Sequence, residues 1–150
     1  MLVLAVGRSR DAAIAALVDR WAGRCPWPVE LKEIATSRAQ DPGRRRAEEA
    51  RRLLAAATGE AAVVALDPTG ADLTSEGFAR QLGTWRDTGR SLAAFLIGGP
   101  DGHGAAALER ADLVLALGRM TWPHELVRAM LAEQLYRAGT ILAGHPYHRG

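Results

Sequence analysis

The stretch "SLAAFLIGGPDGHGAAALERADLVLALG" (91–118) decides the fold, because it combines two apolar runs with a turn and a short helix. The runs 91–99 and 113–118 have the continuous apolar character of strands that are buried on both faces. The segment 103–111 between them is predicted to be helical, and a helix is the usual connection between parallel strands. This stretch therefore predicts one unit of a parallel sheet.

The same alternation of strand and helix extends toward both ends of the chain. Three more strands are predicted at 2–7, 29–35 and 61–68. The strand 29–35 alternates apolar and polar residues and is expected nearer an edge of the sheet, and Asp-Pro is expected to end the strand 61–68. Four more helices are predicted: one with an apolar stripe of Ile14, Leu17, Val18 and Trp21, one ending near Ala57, one at 74–89 and one at 124–142. The pattern predicts a single domain over 1–150, an α/β fold with a mainly parallel sheet and helices on both faces.

Length and composition exclude several classes of protein. The 150 residues, 48% hydrophobic and 24% charged, suit one globular domain with its own core. No apolar run is long enough to span a bilayer, and the first residues lack the basic region of a signal peptide. Cys25 is the only cysteine, so no internal disulfide can form. We therefore expect a cytoplasmic protein with no membrane partner.

The basic residues are almost all arginine. The net charge is only +2, and among the 19 basic residues Lys32 is the single lysine. The segment "GRRRAEEARR" (43–52) concentrates arginine on one helix. Its two glutamates favour an ion-paired, solvated helix face. Contact with nucleic acid is the alternative interpretation of this cluster.

Three stretches leave the last three strands, and these stretches are the candidate binding loops. They are "LDPTG" (66–70), "IGGPDGHG" (97–104) and "LGRMTWPH" (117–124). Ligands of parallel sheets bind beyond the carboxyl ends of the strands, and glycines allow a backbone to approach a ligand closely. Neither G-x-G-x-x-G nor a Walker loop is present, which disfavours a nucleotide-binding domain.

The last residues, "GHPYHRG" (144–150), concentrate reactive side chains at the chain end. Two histidines in this segment could share a metal ion with His103 or His124, although the spacing of established zinc motifs is absent. Histidine, tyrosine and arginine together also suit RNA, because rings stack on bases and a guanidinium binds phosphate. The residues favour RNA over a metal.

The chain resembles a known family in three motifs. "LIGGPDG", "MTWPHELVR" and "EQLYRAGTILAGHPYHR" occur in the order and spacing of the RlmH family, which belongs to the SPOUT superfamily. "LAVG" near the start and "VALD" in the third strand agree, so the resemblance covers essentially the whole chain.

The resemblance implies an enzyme. Members of this family transfer a methyl group from S-adenosylmethionine to ring N3 of a pseudouridine in a hairpin loop of 23S rRNA, at the subunit interface of the ribosome. The resemblance also implies a homodimer, a reaction without a metal, and a C-terminal trefoil knot, which few folds contain.

The family's cofactor contacts fall on eight positions of this chain. They are Leu66, Gly98, Leu117, Gly118, Arg119, Met120, Thr121 and Trp122. This chain departs from the family where Trp122 replaces the usual leucine and Asp101 a common glutamate.

The resemblance also places the reaction on the tail, residues 144–150. We expect His148 to remove the N3 proton, because the unperturbed pKa of histidine is about 6.5. Tyr147 is expected to orient or stack on the base, and Arg149 to hold phosphate or developing negative charge. The long last helix would anchor the tail so that it closes over the cofactor loops.

Two classes of function compete with this interpretation. A non-catalytic RNA-binding or ribosome-assembly protein would share the arginines and the tail but would not need three converging loops. A metal-dependent hydrolase would need the histidines to meet. Binding of S-adenosylmethionine separates the first class from the enzyme, and zinc analysis tests the second.

Overall fold

A computed structural model describes residues 1–57, 61–90 and 93–148, and these residues form an α/β domain around a five-stranded parallel sheet with strand order β2-β1-β4-β3-β5. The elements are β1 Leu2–Val6, α1 Ala12–Ala22, β2 Glu30–Ile34, α2 Pro42–Ala56, β3 Ala62–Asp72, α3 Ser75–Asp87, β4 Ala93–Ile97, α4 Ala105–Arg110, β5 Leu113–Ala116, α5 His124–Leu142 and a 3₁₀ turn, Pro146–His148. The predicted fold class and the edge position of the second strand are confirmed. The trefoil knot stays a prediction.

Short polar side chains begin three of the helices. The carboxylate of Asp11 accepts the Ala13 and Ile14 amides, Asp41 accepts the Arg44 amide, and the hydroxyl of Thr74 accepts the Gly77 amide. Each cap satisfies backbone N–H groups that the first turn of a helix leaves without partners. Thr74 thus caps the helix that the sequence predicts at 74–89.

Helices cover both faces of the sheet. On one face, Val64 and Phe95 pack with Phe78 of α3 and with Leu131 and Leu135 of α5. On the other face, residues of β1 and β4 pack against α2 and α4: Leu4 and Leu96 against Leu53 and Ala107. Central strands buried on both faces need apolar side chains throughout, and this requirement explains the continuous apolar runs.

The outer helix α1 packs on α5. Val18 of α1 is buried against Ala129 and Ala132 of α5. The predicted stripe on α1 is only partly right, because Leu17 is 39% exposed. A helix that packs on another helix at the outside of the domain buries a narrower stripe than one that covers the sheet.

Strand β3 is longer than predicted. It continues past Asp67 and Pro68, and Ala71 and Asp72 pair with Leu115 and Ala116 of β5 after a shift in register. The expectation that Asp-Pro closes this strand is therefore wrong, because pairing with β5 resumes beyond the bulge.

Arg128 of α5 joins the helix to the carboxyl edge of the sheet, the edge where the parallel strands end. Its side chain is buried, and its guanidinium donates to the carbonyls of Val6 and Gly7 at 3.1 and 2.8 Å and to the Glu33 carboxylate at 3.2 Å. The start of α5 is thereby fixed beside the ends of β1 and β2. Within the described ranges, no helix has both the length and the apolar character that a membrane span requires.

Candidate functional site

A cavity of about 550 Å³ opens at the carboxyl edge of the sheet, and we call it the strand-end cavity. Its walls come from the three stretches that follow β3, β4 and β5, together with the start of α5, and its lining residues fall within 66–68, 97–103 and 115–127. The prediction that these three stretches converge is confirmed. The volume is in the range of sites for small organic ligands.

The glycine turn after β4 forms one wall. The Gly102 amide donates to the Gly99 carbonyl at 2.9 Å, and Gly102 has a φ of +78°, which L side chains rarely adopt. A Cβ added to Gly98 would lie 2.9 Å from the carbonyl carbon of Gly102. The turn is therefore as tight as backbone alone allows, and it presents main-chain groups to the cavity.

The loop 117–122 forms the opposite wall and closes on itself. The indole Nε1–H of Trp122 donates to the Leu117 carbonyl at 3.0 Å, and Gly118 makes the bend with a φ of +92°. A leucine at position 122 could not make this hydrogen bond. Met120, with 70% of its surface exposed, stands at the mouth of the cavity.

Seven of the eight predicted cofactor residues line the cavity. They are Leu66, Gly98, Leu117, Gly118, Met120, Thr121 and Trp122. Arg119 is exposed and is not among the residues that line the cavity. What these residues bind stays a prediction.

His103 lies on the cavity wall, and sequence reasoning considered it only as a metal ligand. Its Nε2 is 3.1 Å from the Leu66 carbonyl, and since a carbonyl only accepts, Nε2 carries the proton. Its Nδ1 is buried and has no partner in the described ranges. Burial lowers the pKa of His103, and this favours the neutral ring. The only sequence signal for a place of His103 in the cavity wall was its position just after the glycine turn.

Helix α2 supports the glycine turn from behind. The guanidinium of Arg45 forms an ion pair with Asp101 in the turn and donates to the Ala39 carbonyl at 3.0 Å. The hydrogen bond from Arg45 holds the pKa of Asp101 below its ordinary value. One turn further along α2, the buried Glu49 accepts the Ser37 amide at 2.9 Å. These contacts connect the cavity wall to the loop that follows β2.

Tyr147, within the described part of the tail, does not line the strand-end cavity of its own chain. The Tyr147 hydroxyl donates to the Glu133 carboxylate at 3.2 Å, and its ring packs on Tyr136 at 4.7 Å between centroids. Tyr136 lies nine residues beyond Val127 of the cavity wall, which is about 14 Å along a helix. Aromatic packing therefore holds Tyr147 further along α5, and the closure of the tail over cofactor loops, of its own chain or of a second subunit, stays a prediction.

The environment of Tyr147 does not favour a base. Burial, together with the nearby Glu133 carboxylate, raises the pKa of the Tyr147 phenol, while Arg137 stacks over its ring at 5.0 Å. An orienting or stacking role fits this environment better. Arg149 and the side chain of His148 lie outside the described residues.

The candidate metal ligands are not brought together among the described residues. His103 and His124 line the cavity, but within 1–57, 61–90 and 93–148 no three metal-binding side chains are grouped. His145 lies in the tail, where its Nδ1 accepts the Tyr147 amide at 3.2 Å.

Comparison with known proteins gives one consistent family. A family profile described as "Predicted SPOUT methyltransferase" matches residues 1–148. A Rhodospirillum centenum protein named ribosomal RNA large subunit methyltransferase H is 52% identical over 97% of this chain and 95% of its own length. Proteins of the same name from Paramagnetospirillum magneticum and Nitrobacter winogradskyi are 51% and 47% identical, each over at least 98% of both chains.

Proposed function

Because this chain belongs to the SPOUT methyltransferase family, we propose that it methylates large-subunit ribosomal RNA with S-adenosylmethionine as the methyl donor. The observation that carries the proposal is the strand-end cavity. It is lined by seven of the residues that the sequence predicted as cofactor contacts. The full-length relatives named ribosomal RNA large subunit methyltransferase H support the choice of substrate.

The target that the resemblance to the family implies, and that we propose, is ring N3 of a pseudouridine in a hairpin loop of 23S rRNA at the ribosomal subunit interface. A domain of this size carries little surface for recognising RNA by itself. We therefore propose an assembled ribosomal particle, which presents the nucleotide already in shape, as the substrate.

The strand-end cavity fits the proposed donor. Its lining is mainly apolar at Leu66, Leu117 and Val127, which suits a purine ring and a thioether chain. The glycine turn and the loop 117–122 contribute polar backbone groups to its lining. When bound, S-adenosylmethionine supplies an electrophilic methyl group on a sulfonium.

The chain's contribution to such a transfer is mainly positioning. The methyl carbon and the accepting nitrogen must meet in line at about 3 Å, and rigid walls such as the Gly98 turn and the closed 117–122 loop provide this precision. The N3 proton must leave as the new bond forms, and His148 is the proposed base. Tyr147 is proposed to orient the nucleobase and Arg149 to stabilise its developing negative charge.

A homodimer would bring the tail to the reaction. Tyr147 lies along α5 and away from the cavity of its own chain, so the partner subunit's Tyr147 is proposed to complete each site. Half-buried side chains on α5, Met130 and Tyr136, leave apolar surface for the second subunit.

The decisive experiment supplies isotopically labelled S-adenosylmethionine and ribosomal particles from cells that lack this gene. We expect one labelled nucleotide in the large-subunit RNA, carrying the methyl group on ring N3, and we expect assembled particles to be better substrates than free RNA. Absence of both donor binding and transfer would leave a non-catalytic RNA-binding or assembly protein as the better interpretation.

The tail residues are tested by single substitutions. Tyr147→Phe, His148→Ala and Arg149→Ala should each lower turnover while donor affinity stays within about twofold, because the tail is not expected to hold the donor. Loss of donor affinity with normal turnover at saturation contradicts these roles.

Mixed dimers test which subunit supplies the tail. A protomer carrying Gly98→Val is combined with one carrying His148→Ala. If the tail acts on the partner's cavity, one site of the mixed dimer is intact and activity returns. If the tail acts within its own chain, both sites are defective and the mixture stays inactive.

A further inference from the structure

A second concave site lies beside the strand-end cavity, and we propose that it binds a phosphodiester group of the substrate RNA. We call it the arginine groove; it has a volume of about 560 Å³ and is lined by Ala35, Thr36, Arg38, Ala39, Arg44, Glu48 and Arg52. The inference rests on the proposed function, since the RNA that reaches the groove is the RNA that is methylated.

The charge of the groove favours an anion. Three guanidiniums and one carboxylate line it, which leaves a surplus of two positive charges. Glu48 is shared, because it accepts the Arg44 Nε–H at 3.2 Å and lies 3.8 Å from Arg52. Arg38 has no ion pair among the described residues. Guanidiniums bind phosphate oxygens with two N–H groups at once, which lysine cannot do.

The groove is shaped before any ligand arrives. Arg52 donates to the carbonyls of Ala35 and Thr36, each at 2.8 Å, and this holds its guanidinium against the backbone. The Ser37 hydroxyl donates to Glu48 at 2.6 Å and accepts the Ala39 amide at 3.1 Å. The residues on either side of Arg38 are therefore anchored, and little loop ordering is needed for binding.

An ion-paired helix face explains only part of this arrangement. The pairs of Arg44 and Arg52 with Glu48 are the i,i+4 contacts that the sequence predicted for the segment 43–52. Arg38 comes from the loop after β2 and belongs to no such pair. The groove that the loop and α2 enclose together is therefore more than a solvated helix face.

The groove and the strand-end cavity lie close enough for one RNA strand. Ala35 and Thr36 directly follow β2, and β2 is separated from β4 only by β1, so the two strand ends are about 10 Å apart. Arg45 links the two sites directly, because it contacts Asp101 in the cavity wall and Ala39 in the groove. A nucleotide presented to the donor at the cavity can thus have a neighbouring phosphate in the groove.

The test compares variants of one helix and its adjoining loop. Arg38→Ala and Arg44→Ala remove groove guanidiniums, while Arg51→Ala removes an exposed arginine of α2 that does not line the groove. Methyl transfer to ribosomal particles is measured against particle concentration and sodium chloride, and pelleting with the particles measures binding directly.

We expect each groove variant to raise KM for the particle by roughly three- to tenfold relative to Arg51→Ala, with kcat and donor affinity within about twofold. The slope of log kcat/KM against log salt should become shallower by about 0.7 to 0.9, the loss of one phosphate contact. Arg44→Lys should restore part of the loss, because it keeps the charge without the planar fork.

The proposal is overturned if both groove variants match Arg51→Ala in KM, in salt slope and in pelleting. Failure of the proposed function has a different signature, because the unmodified chain would then bind particles without transferring methyl groups. In that case weaker pelleting of the groove variants than of Arg51→Ala still supports the groove, and equal pelleting overturns it.

Discussion

The two halves of α5 support two different kinds of structure. In the first half, His124 and Val127 line the strand-end cavity, and Arg128 fastens the helix to strand-end carbonyls. In the second half, Glu133 and Tyr136 hold Tyr147 through one hydroxyl contact and ring packing. The first region is made largely of backbone, and the second is made of side chains.

This difference teaches which substitutions each region tolerates. A site built from backbone accepts different side chains, such as Trp122 in place of a leucine, but not an added Cβ where main chains approach closely. A site built from side chains loses its contacts one at a time. The following predictions measure this difference, beginning with the largest effect.

Arg128→Met, in the first half of α5, should lower the free energy of unfolding of the protein by about 3 kcal/mol. The substitution removes the donor to the Val6 and Gly7 carbonyls and leaves Glu33 with the Ser9 amide but without its cationic partner. Breaking a buried ion pair costs about this much when one partner is partly exposed. Urea denaturation measures the free energy of unfolding.

The matched control for Arg128→Met is Arg137→Met in the second half. Arg137 pairs with Glu133 at i,i+4 on a partly exposed surface, so the loss should stay below about 1 kcal/mol. If both variants lost the same free energy of unfolding, the ion pair in the first half of α5 would contribute no more to stability than the one in the second half.

Gly98→Ala should weaken donor binding by about tenfold, or about 1.4 kcal/mol. The new Cβ would lie 2.9 and 3.0 Å from the carbonyl carbon and oxygen of Gly102, and both atoms are backbone, so the cavity wall must move. Calorimetric titration with S-adenosylhomocysteine measures the change.

Gly77→Ala in α3 is the control for the glycine substitution. A Cβ at Gly77 meets its neighbours at 3.5 Å or more, so this variant should keep full donor affinity. If both alanine variants bind the donor normally, the Gly98 turn is not part of the donor site.

The stability of the protein should fall as the pH drops below about 6.5, the ordinary histidine pKa. Burial lowers the pKa of folded His103, so in this window the unfolded chain binds a proton that the folded chain does not. The contribution of His103 to the free energy of unfolding is therefore complete above its pKa in the unfolded chain. It is lost as the pH falls from that pKa to the lower pKa in the folded chain, by about 1.4 kcal/mol per unit of difference between the two.

His103→Gln isolates this contribution, because glutamine can still donate to the Leu66 carbonyl but does not titrate. Denaturation at a series of pH values should give a difference between wild type and variant that varies only below about 6.5. A constant difference across pH would mean that His103 titrates alike in both states.

Tyr147→Phe should have the smallest effect on stability, below about 1 kcal/mol. The ring still packs on Tyr136, and only the hydroxyl contact with Glu133 is lost. Thermal unfolding and donor titration are the measurements. A loss of donor affinity as large as that of Gly98→Ala would contradict the expectation that the tail does not hold the donor.

Local patterns predicted much of the fold. The helix 124–142 was predicted with the bounds that α5 has, because its apolar spacing and the preceding Pro123 are signals within one segment. The extension of β3 beyond Asp67 was missed, since it depends on pairing with β5, which a single segment does not encode.

The candidate site divides in the same way. The convergence of three loops was predictable, because parallel strands end at one edge of the sheet. The contacts of Arg45 with Asp101 and of Arg128 with Val6 join residues far apart in the chain, and no periodic pattern in the sequence predicts them. The place of Tyr147 beside α5 likewise depends on aromatic packing with Tyr136 and Trp21, which no single segment encodes.

Trp122 and Trp21 give the two regions separate optical reporters. The indole of Trp122 forms part of the cavity wall and is 38% exposed, so a ligand that covers it changes its emission. Trp21 lies 6.1 Å from the ring of Tyr147 and senses displacement of the tail instead. With Trp27, Trp85 and either Trp21 or Trp122 replaced by phenylalanine, two single-tryptophan proteins would report in real time whether cavity filling and tail release occur together or in sequence.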